Sequence, residues 1–309
     1  MSLTFLADRG DARLRLDLAV VRRLAHVPRI SRARVQRWIG EGLVLVNDRP
    51  ARRASSPVAA GDVIDVRAPE ALVERIVPKP ESLPLDILHE DAHLIVLNKP
   101  AGLVVHPTYK HASGTILNAL LGYLGTGVDD KPRLVHRLDK DTSGVLLVSR
   151  SLGAHVGLQR SLASRASHKE YLTVVRGTPR PKVGTIQLAL GRDVTDRRRV
   201  VTRQDGRESE TRYEVLARSG TMSLVRCELI TGRTHQIRVH LAARGWPIVG
   251  DSAYGIVSDL VARQALHAWR LSFRHPISGE ALQFTAPLPE DLRELLASAR
   301  FEFQPTGVP

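Results

Sequence analysis

The chain has 309 residues, 43% of them hydrophobic and 25% charged, a composition that excludes a disordered or fibrous protein and leaves room for two domains with a sizeable core. A formal charge of +13 and a pI near 10.6 favour a polyanionic partner, nucleic acid first, because phosphate contacts dominate such affinity. One cysteine, Cys227, excludes an internal disulfide framework and a multi-cysteine metal site. No stretch approaches the roughly 18 apolar residues of a membrane helix, and no basic leader followed by a long apolar region opens the chain. The expectation is a cytoplasmic protein, a monomer, with no membrane partner.

Residues 13–24, opening Arg13-Leu14-Arg15-Leu16, carry a helical pattern. Ser31 is then an N-cap candidate before Arg32-Ala33-Arg34-Val35-Gln36-Arg37-Trp38-Ile39, and Gly40 and Gly42 close that helix. Val35, Trp38 and Ile39 fall at i, i+3 and i+4, which predicts a buried stripe and leaves Arg32, Arg34 and Arg37 on a basic face. A strand over 43–47, a turn through Asp48-Arg49-Pro50 and a further strand region over 58–66 follow. The plain alternative is a small helical domain with solvated arginines. This order of elements, with Val-x-Val-Asn and Gly-Asp-x-Ile, resembles the ribosomal-protein S-four-like RNA-binding domain. The resemblance implies a small N-terminal α/β domain over residues 10–70. Its RNA-facing surface would lie on Arg32, Arg34 and Arg37, with Arg52 and Arg53 nearby.

Pro78, Pro80 and Pro84 interrupt residues 71–84, which read as a semi-extended connector. The second domain is expected over 85–300. Leu94–Asn98 is a strand, Lys99-Pro100-Ala101-Gly102 turns the chain, and 115–124 is an apolar helix. His136-Arg137-Leu138-Asp139-Lys140-Asp141-Thr142-Ser143-Gly144 then leads straight into the buried strand Val145–Val148. Charge that dense beside a core strand is unfavourable unless it finds partners. The bland account is a solvated loop.

A helix over 152–162 and a strand over 169–175 come next, then antiparallel strands over 212–216 and 222–226. Thr231–Leu241 opens a helix ending near Gly245, and its Arg233, His235, Arg238 and His240 again need partners. Strands come in runs instead of alternating strictly with helices, so the class is α+β and not a parallel doubly wound sheet.

His-Arg-Leu-Asp-x-x-Thr-Ser-Gly followed by an apolar strand is similar to the catalytic motif of the RluA/RluD-type pseudouridine synthases. Lys-Pro-x-Gly-x-x-Val-His-Pro from Lys99, Lys-x-Tyr at 169–171 and Gly-Arg-Thr-His-Gln-Ile-Arg-Val-His-Leu at 232–241 resemble further motifs of that family. The likeness runs from about residue 13 to residue 296. It implies a pseudouridine-synthase core with a mixed, mostly antiparallel sheet. Asp139 would be the catalytic carboxylate and Arg238 its partner. Tyr171 would stack on the base and be a candidate for late proton removal. Arg137 would fill the space left by the flipped base, on the opposite side of the extended segment from Asp139. His136 and Arg233 would bind substrate, while Lys99 and His106 would be scaffold or substrate-proximal. Leu162 departs from the family, which has a phenylalanine there.

The reaction implied breaks the bond between the uracil ring nitrogen and the ribose, turns the base, and rejoins it through carbon five. It calls for no cofactor and no metal, in keeping with a chain that has no Walker loop or dinucleotide fingerprint. A base stacked in RNA must first be flipped out. The S-four-like domain points to a large structured RNA as partner, large-subunit ribosomal RNA first. The competing readings are a non-catalytic RNA-binding or ribosome-assembly protein, with Asp139 in a structural ion pair, and an RNA-directed glycosidase using Asp141 as second acid. Asp139, Tyr171 and Arg238 together argue for the synthase.

Overall fold

The computed structural model describes residues 2–8, 10–24, 30–67, 78–108, 111–125, 132–164, 166–196 and 199–303. The chain divides into two compact units, residues 1–77 and 78–309.

The first unit contains β1 (Ser2–Leu6), α1 (Leu16–Arg23), α2 (Arg32–Gly40), β2 (Val44–Val46), β3 (Arg49–Pro50) and β4 (Val63–Arg67). Its four strands form an antiparallel sheet in the order β1-β4-β2-β3. Ser31 caps α2 as expected, its hydroxyl accepting the Arg34 N–H at 3.3 Å. Val35, Trp38 and Ile39 pack against Leu16, Ala19 and Val20 of α1 and against Ile64 and Val66 of β4. β1 lies ahead of residue 10, the expected start of this domain, and pairs with β4 from Ser2↔Arg67 to Leu6↔Val63.

Asp17 is fully buried in this unit and collects Arg15, Gln36 at 2.6 Å and Arg32 at 2.9 Å. Burial opposes its ionisation, and these hydrogen bonds outweigh the penalty, holding its carboxyl well below the usual carboxylate range. Arg32 is therefore a cross-brace between the two helices, half of its side chain still facing solvent.

In the second unit the chain order is β5 (Ile87–Glu90), β6 (Leu94–Lys99), α3 (Ile116–Leu124), β7 (Arg133–Leu134), β8 (Ser143–Ser149), α4 (Leu152–Ala163) and β9 (His168–Arg176). There follow β10 (Val183–Gln187), β11 (Leu190–Arg192), β12 (Val200–Thr202), β13 (Glu210–Ser219) and β14 (Met222–Leu229). The unit closes with α5 (Gln236–Ala243), β15 (Leu266–Arg274), β16 (Ala281–Thr285) and α6 (Glu290–Ser298). Of the expected connector over 71–84, residues 71–77 lie outside the described residues. Residues 79 and 81 are not free: the Asn118 amide donates to the Lys79 carbonyl at 2.8 Å, and the Gly114 N–H donates to the Glu81 carboxylate at 2.9 Å. Gly122 on α3 has to be glycine, because a Cβ there would run into the Glu81 carbonyl.

The large sheet runs β10-β13-β14-β9-β15-β8-β6-β5, with β16 on β15 and β7 on β8. Its strand pairs are antiparallel except β8 with β15, so the sheet is mixed and mostly antiparallel, as expected. Both faces are covered. Ile95, Leu97, Leu146 and Val148 pack with α3, α5 and α6, while Leu94, Val96, Val145 and Leu147 pack with Leu158 and Leu162 of α4. Burial on both sides is why Val145–Val148 is an unbroken apolar run and not an alternating one. Cys227 sits fully buried in this core, which pushes its thiol up to about 12 and makes it inert. Among the described residues no helix is long and apolar enough to cross a membrane.

Candidate active site

Asp139 stands on the turn that feeds β8, and the backbone of that turn is held on every side. The Asp139 carbonyl accepts the Thr142 N–H at 3.1 Å. The Lys140 carbonyl accepts the Gly102 N–H at 3.0 Å and the Lys99 ammonium at 2.9 Å. The Asp141 carbonyl accepts Arg263 Nη1 at 3.0 Å, and Arg263 is itself clamped by both oxygens of Asp291 on α6. Gly144 has φ +112°, and a Cβ there would collide with the Ala268 carbonyl where β8 crosses β15. These contacts answer the question raised by the charged run: the turn is tied down by its neighbours, and Asp139 is presented on a fixed backbone.

Lys99 supplies one of the constraints from within the core. It has no exposed surface, and its ammonium also donates to the carbonyls of Pro100 and Leu103 at 2.7 and 3.0 Å. Burial pushes its pKa down to about 8. It is scaffold, as one of its two expected roles had it. His106 is exposed and does not line the cavity described next.

A cavity of about 700 Å³ opens beside this turn, lined by His136, Arg137, Asp139, Tyr171, Arg233 and Arg238, together with His235 and Gln236. The six residues of this domain given catalytic or substrate-binding roles from the sequence thus line one cavity, while Lys99 and His106 do not. Arg137 is exposed, Leu138 is buried in the core and Asp139 is half-buried, an alternation that puts Arg137 and Asp139 on one side. A two-residue step along an extended segment returns to the same face, so the expectation of opposite sides was wrong. His136 borders the cavity, yet its Nε2 accepts the Leu147 N–H at 3.0 Å. Burial, aided by Lys169, lowers its pKa to about 4, so it is a neutral strand anchor. Arg233 is exposed at the rim, its Nε donating to the Glu208 carbonyl at 3.2 Å. Tyr171 rises from β9, and burial together with the Asp139 charge pushes its phenol pKa up.

The far wall is the approach to α5. Gln236 is 2% exposed and satisfied on both ends: its oxygen accepts from Arg233 N–H and Thr231 Oγ1, and its nitrogen donates to the Glu210 carbonyl and Thr211 Oγ1, all at 2.9 Å. That anchor fixes the start of the helix bearing Arg238. Arg238 Nη1 donates to Asp139 Oδ2 at 3.1 Å. Its other two nitrogens go to Asp251, Nε to Oδ2 at 2.6 Å and Nη2 to Oδ1 at 2.8 Å. Burial works against the guanidinium charge, and the two carboxylates outweigh it. The same guanidinium, with the Ala253 and Tyr254 N–H groups, keeps the buried Asp251 ionised against its own burial. Sequence reasoning gave Asp251 and Gln236 no role. The available signal was indirect, since a buried arginine requires a buried acid.

In the first unit Arg37, Arg52 and Arg53 are exposed and Arg34 is half-buried, while Arg32 is braced by Asp17. Among the described residues no group of three or more His, Cys, Asp or Glu side chains is arranged to hold a metal ion.

Residues 93–243 match the family model for RNA pseudouridylate synthase, and residues 14–64 match that for the S4 domain. An uncharacterized RNA pseudouridine synthase of Bacillus subtilis is 41% identical over 275 residues, covering 87% of this chain and 90% of the relative. The ribosomal large subunit pseudouridine synthase D of Neisseria meningitidis serogroup B is 41% identical over 304 residues, covering 93% of this chain and 79% of the relative. Among solved structures, human RNA pseudouridylate synthase domain containing 1 superposes with a TM-score of 0.56 at 28% identity, over 71% of this chain and 96% of that one. The charged turn, the arginine that faces it and the S4-type unit ahead of them thus sit in a sequence shared almost end to end with these relatives, and the chain belongs to the RNA pseudouridine synthase family, an isomerase of uridine in RNA.

Proposed function

We propose that the protein converts uridine to pseudouridine in large-subunit ribosomal RNA with Asp139 as its catalytic carboxylate. The observation that carries this reading is the Asp139 carboxylate on the cavity wall, one oxygen held by Arg238 at 3.1 Å. Arg238 is locked in turn by the buried Asp251. A carboxylate oriented by a guanidinium in a partly water-excluded site is what attack or proton abstraction at the sugar or base requires. The isomerisation breaks the C1′–N1 bond and makes a C1′–C5 bond. The proton on C5 is lost and N1 ends protonated, so no oxidant or group donor enters the balance.

Tyr171 offers an aromatic face for the flipped base. Its raised pKa keeps it a phenol, so it supplies a face and an O–H and not a standing phenolate base. Arg137, on the same wall and exposed, would enter the gap that the flipped base leaves. Arg233 at the rim binds the substrate backbone. His136 contributes by holding the wall.

Residues 10–70, together with β1 ahead of them, would serve as the RNA-binding domain and 85–300 as the catalytic domain. Arg37, Arg52 and Arg53 would neutralise phosphates, with Arg34 beside them and Arg32 adding its exposed edge. The choice of large-subunit ribosomal RNA is supported by relatives named ribosomal large subunit pseudouridine synthase D, which are 40–42% identical. The test is to map pseudouridines in ribosomal RNA from cells lacking this gene, then from cells given back the wild type or Asp139→Asn. At least one large-subunit site should vanish, return with the wild type and stay absent with Asp139→Asn. A full complement of pseudouridines in the deleted strain's ribosomal RNA would move the target to another RNA.

A further inference from the structure

Asp139 presents two oxygens to different neighbours. Oδ2 accepts Arg238 Nη1 at 3.1 Å. Oδ1 has His235 Nε2 at 3.8 Å, too long for a hydrogen bond and close enough for strong attraction or repulsion. Which of these it is depends on where the imidazole proton sits.

Tyr254 decides that. Its phenol oxygen accepts the Val200 N–H at 2.8 Å, and its own proton has His235 Nδ1 as an acceptor at 2.8 Å. The reverse arrangement, with Nδ1–H donating to the phenol, would leave a bare Nε2 lone pair facing a carboxylate. The tautomer with the proton on Nε2 gives the phenol proton its acceptor at Nδ1 and turns an N–H toward Oδ1.

Tyr254 is itself well fixed. Its ring lies against two guanidinium groups, Arg238 at 5.0 Å and Arg199 at 5.4 Å from the centroid, and its backbone N–H donates to Asp251 at 3.1 Å. His235 occupies the left-handed region with φ 55°, a conformation unfavourable for a residue with a Cβ, at the N-cap of α5. Its side chain makes no cap hydrogen bond there. Strain kept at a cavity wall, without the usual capping return, indicates that the side chain is held there for another purpose.

We propose that His235 and Tyr254 are positioning residues that single out Oδ1 of Asp139 as the reacting oxygen. Tyr254 fixes the imidazole tautomer, and the Nε2–H orients Oδ1 without occupying it. Arg238 keeps Oδ2 out of the reaction. The assignment rests on the reading of Asp139 as the catalytic carboxylate.

The arrangement also predicts a pH signature. The groups facing His235 are Asp139 and Asp251, which favour its protonation, Arg238 and Arg137, which oppose it, and Tyr254, which hydrogen-bonds it. Burial is the largest influence and holds the imidazole neutral to lower pH than usual. Once protonated, His235 pairs with Oδ1 and withdraws it from substrate, so part of the acid limb of the rate profile belongs to this residue.

The experiment uses the full-length protein on a ribosomal RNA fragment containing its target, with kcat and KM measured across pH. The variants are Tyr254→Phe, His235→Gln, His235→Asn and Asp139→Asn. Tyr254→Phe should lower kcat about tenfold, the effect of one hydrogen bond, with KM changed less than about threefold. His235→Gln, whose amide N–H can stand in for Nε2–H, should keep more activity than His235→Asn, which tolerates the left-handed backbone but is too short. The acid limb of His235→Gln should lie at lower pH than that of wild type. An unchanged kcat in Tyr254→Phe, or a His235→Gln profile that is the wild-type curve scaled in height alone, would overturn the assignment while an inactive Asp139→Asn left the catalytic reading standing. An active Asp139→Asn would bring down both.

Discussion

Arg238 reaches Asp251 twice before it reaches Asp139 once, through Nε to Oδ2 at 2.6 Å and Nη2 to Oδ1 at 2.8 Å. The bidentate fork engages a carboxylate with no exposed surface, and only Nη1 is left for the cavity. The direction of the guanidinium is therefore set from behind, and Asp139 receives a partner that cannot swing.

That relationship makes Asp251 the residue through which the site can be disabled without touching it. Asp251→Ala would leave a buried guanidinium with one carboxylate, a change that costs about 3–5 kcal/mol when a buried pair is broken. Urea unfolding should show a loss of that size, and turnover should fall by at least about tenfold. Stability within about 1 kcal/mol of wild type would mean that Asp139 alone suffices to hold Arg238.

Arg238→Lys keeps the charge and loses the fork. An ammonium cannot serve both Asp251 oxygens and Asp139 in this geometry. The rate should drop steeply while affinity for RNA, which rests on many other cations, changes little. A lysine variant with wild-type turnover would show that charge suffices and geometry does not matter.

His136 gives a stability prediction. Its folded-state pKa near 4 lies below the usual 6.5, so between those values the unfolded chain binds the proton and the folded protein does not. Stability must then fall as pH falls through that window, by about 2 kcal/mol between pH 7 and 4.5 from this residue. His136→Gln, which can still accept the Leu147 N–H, should flatten the dependence by that amount. An equal pH dependence in the two proteins would show that His136 titrates normally.

The legible parts of this molecule were those encoded locally. Val35, Trp38 and Ile39 repeat on one helical face, and Ser31 caps it, so α2 could be read without its partners. The run Val145–Val148 announced a buried strand because both of its faces are covered. β1 was missed because its partner β4 lies about sixty residues away and Ser2–Leu6 carries no local signal of that pairing. A histidine in a charged motif reads as a substrate ligand, and nothing along the chain reveals that the Leu147 N–H, eleven residues on, engages the His136 ring. Asp251 and Tyr254 are joined to the site only by contacts between distant segments, which no spacing along the chain records.

The proposed function divides the labour between the two units, binding in the first and chemistry in the second. The first has its own core, centred on Leu16, Val20, Val35 and Ile64, so deleting residues 1–77 should leave the second unit folded. The truncated protein should retain turnover on short uridine-containing RNA. On ribosomal RNA its log affinity should fall less steeply with log salt, since Arg37, Arg52 and Arg53 no longer displace counterions. Equal slopes for the two proteins would remove the first unit from RNA binding.

The most direct test of Asp139 as the catalytic group is single-turnover pseudouridine formation by Asp139→Asn on its ribosomal RNA target, read beside equilibrium binding of the same RNA. The substitution keeps the size of the side chain and removes its charge. The expected result is no detectable pseudouridine with RNA affinity close to wild type, because one carboxylate carries the chemistry and many arginines carry the binding. Pseudouridine formed at a rate near that of wild type would contradict it, and the catalytic group would have to be sought elsewhere in the cavity.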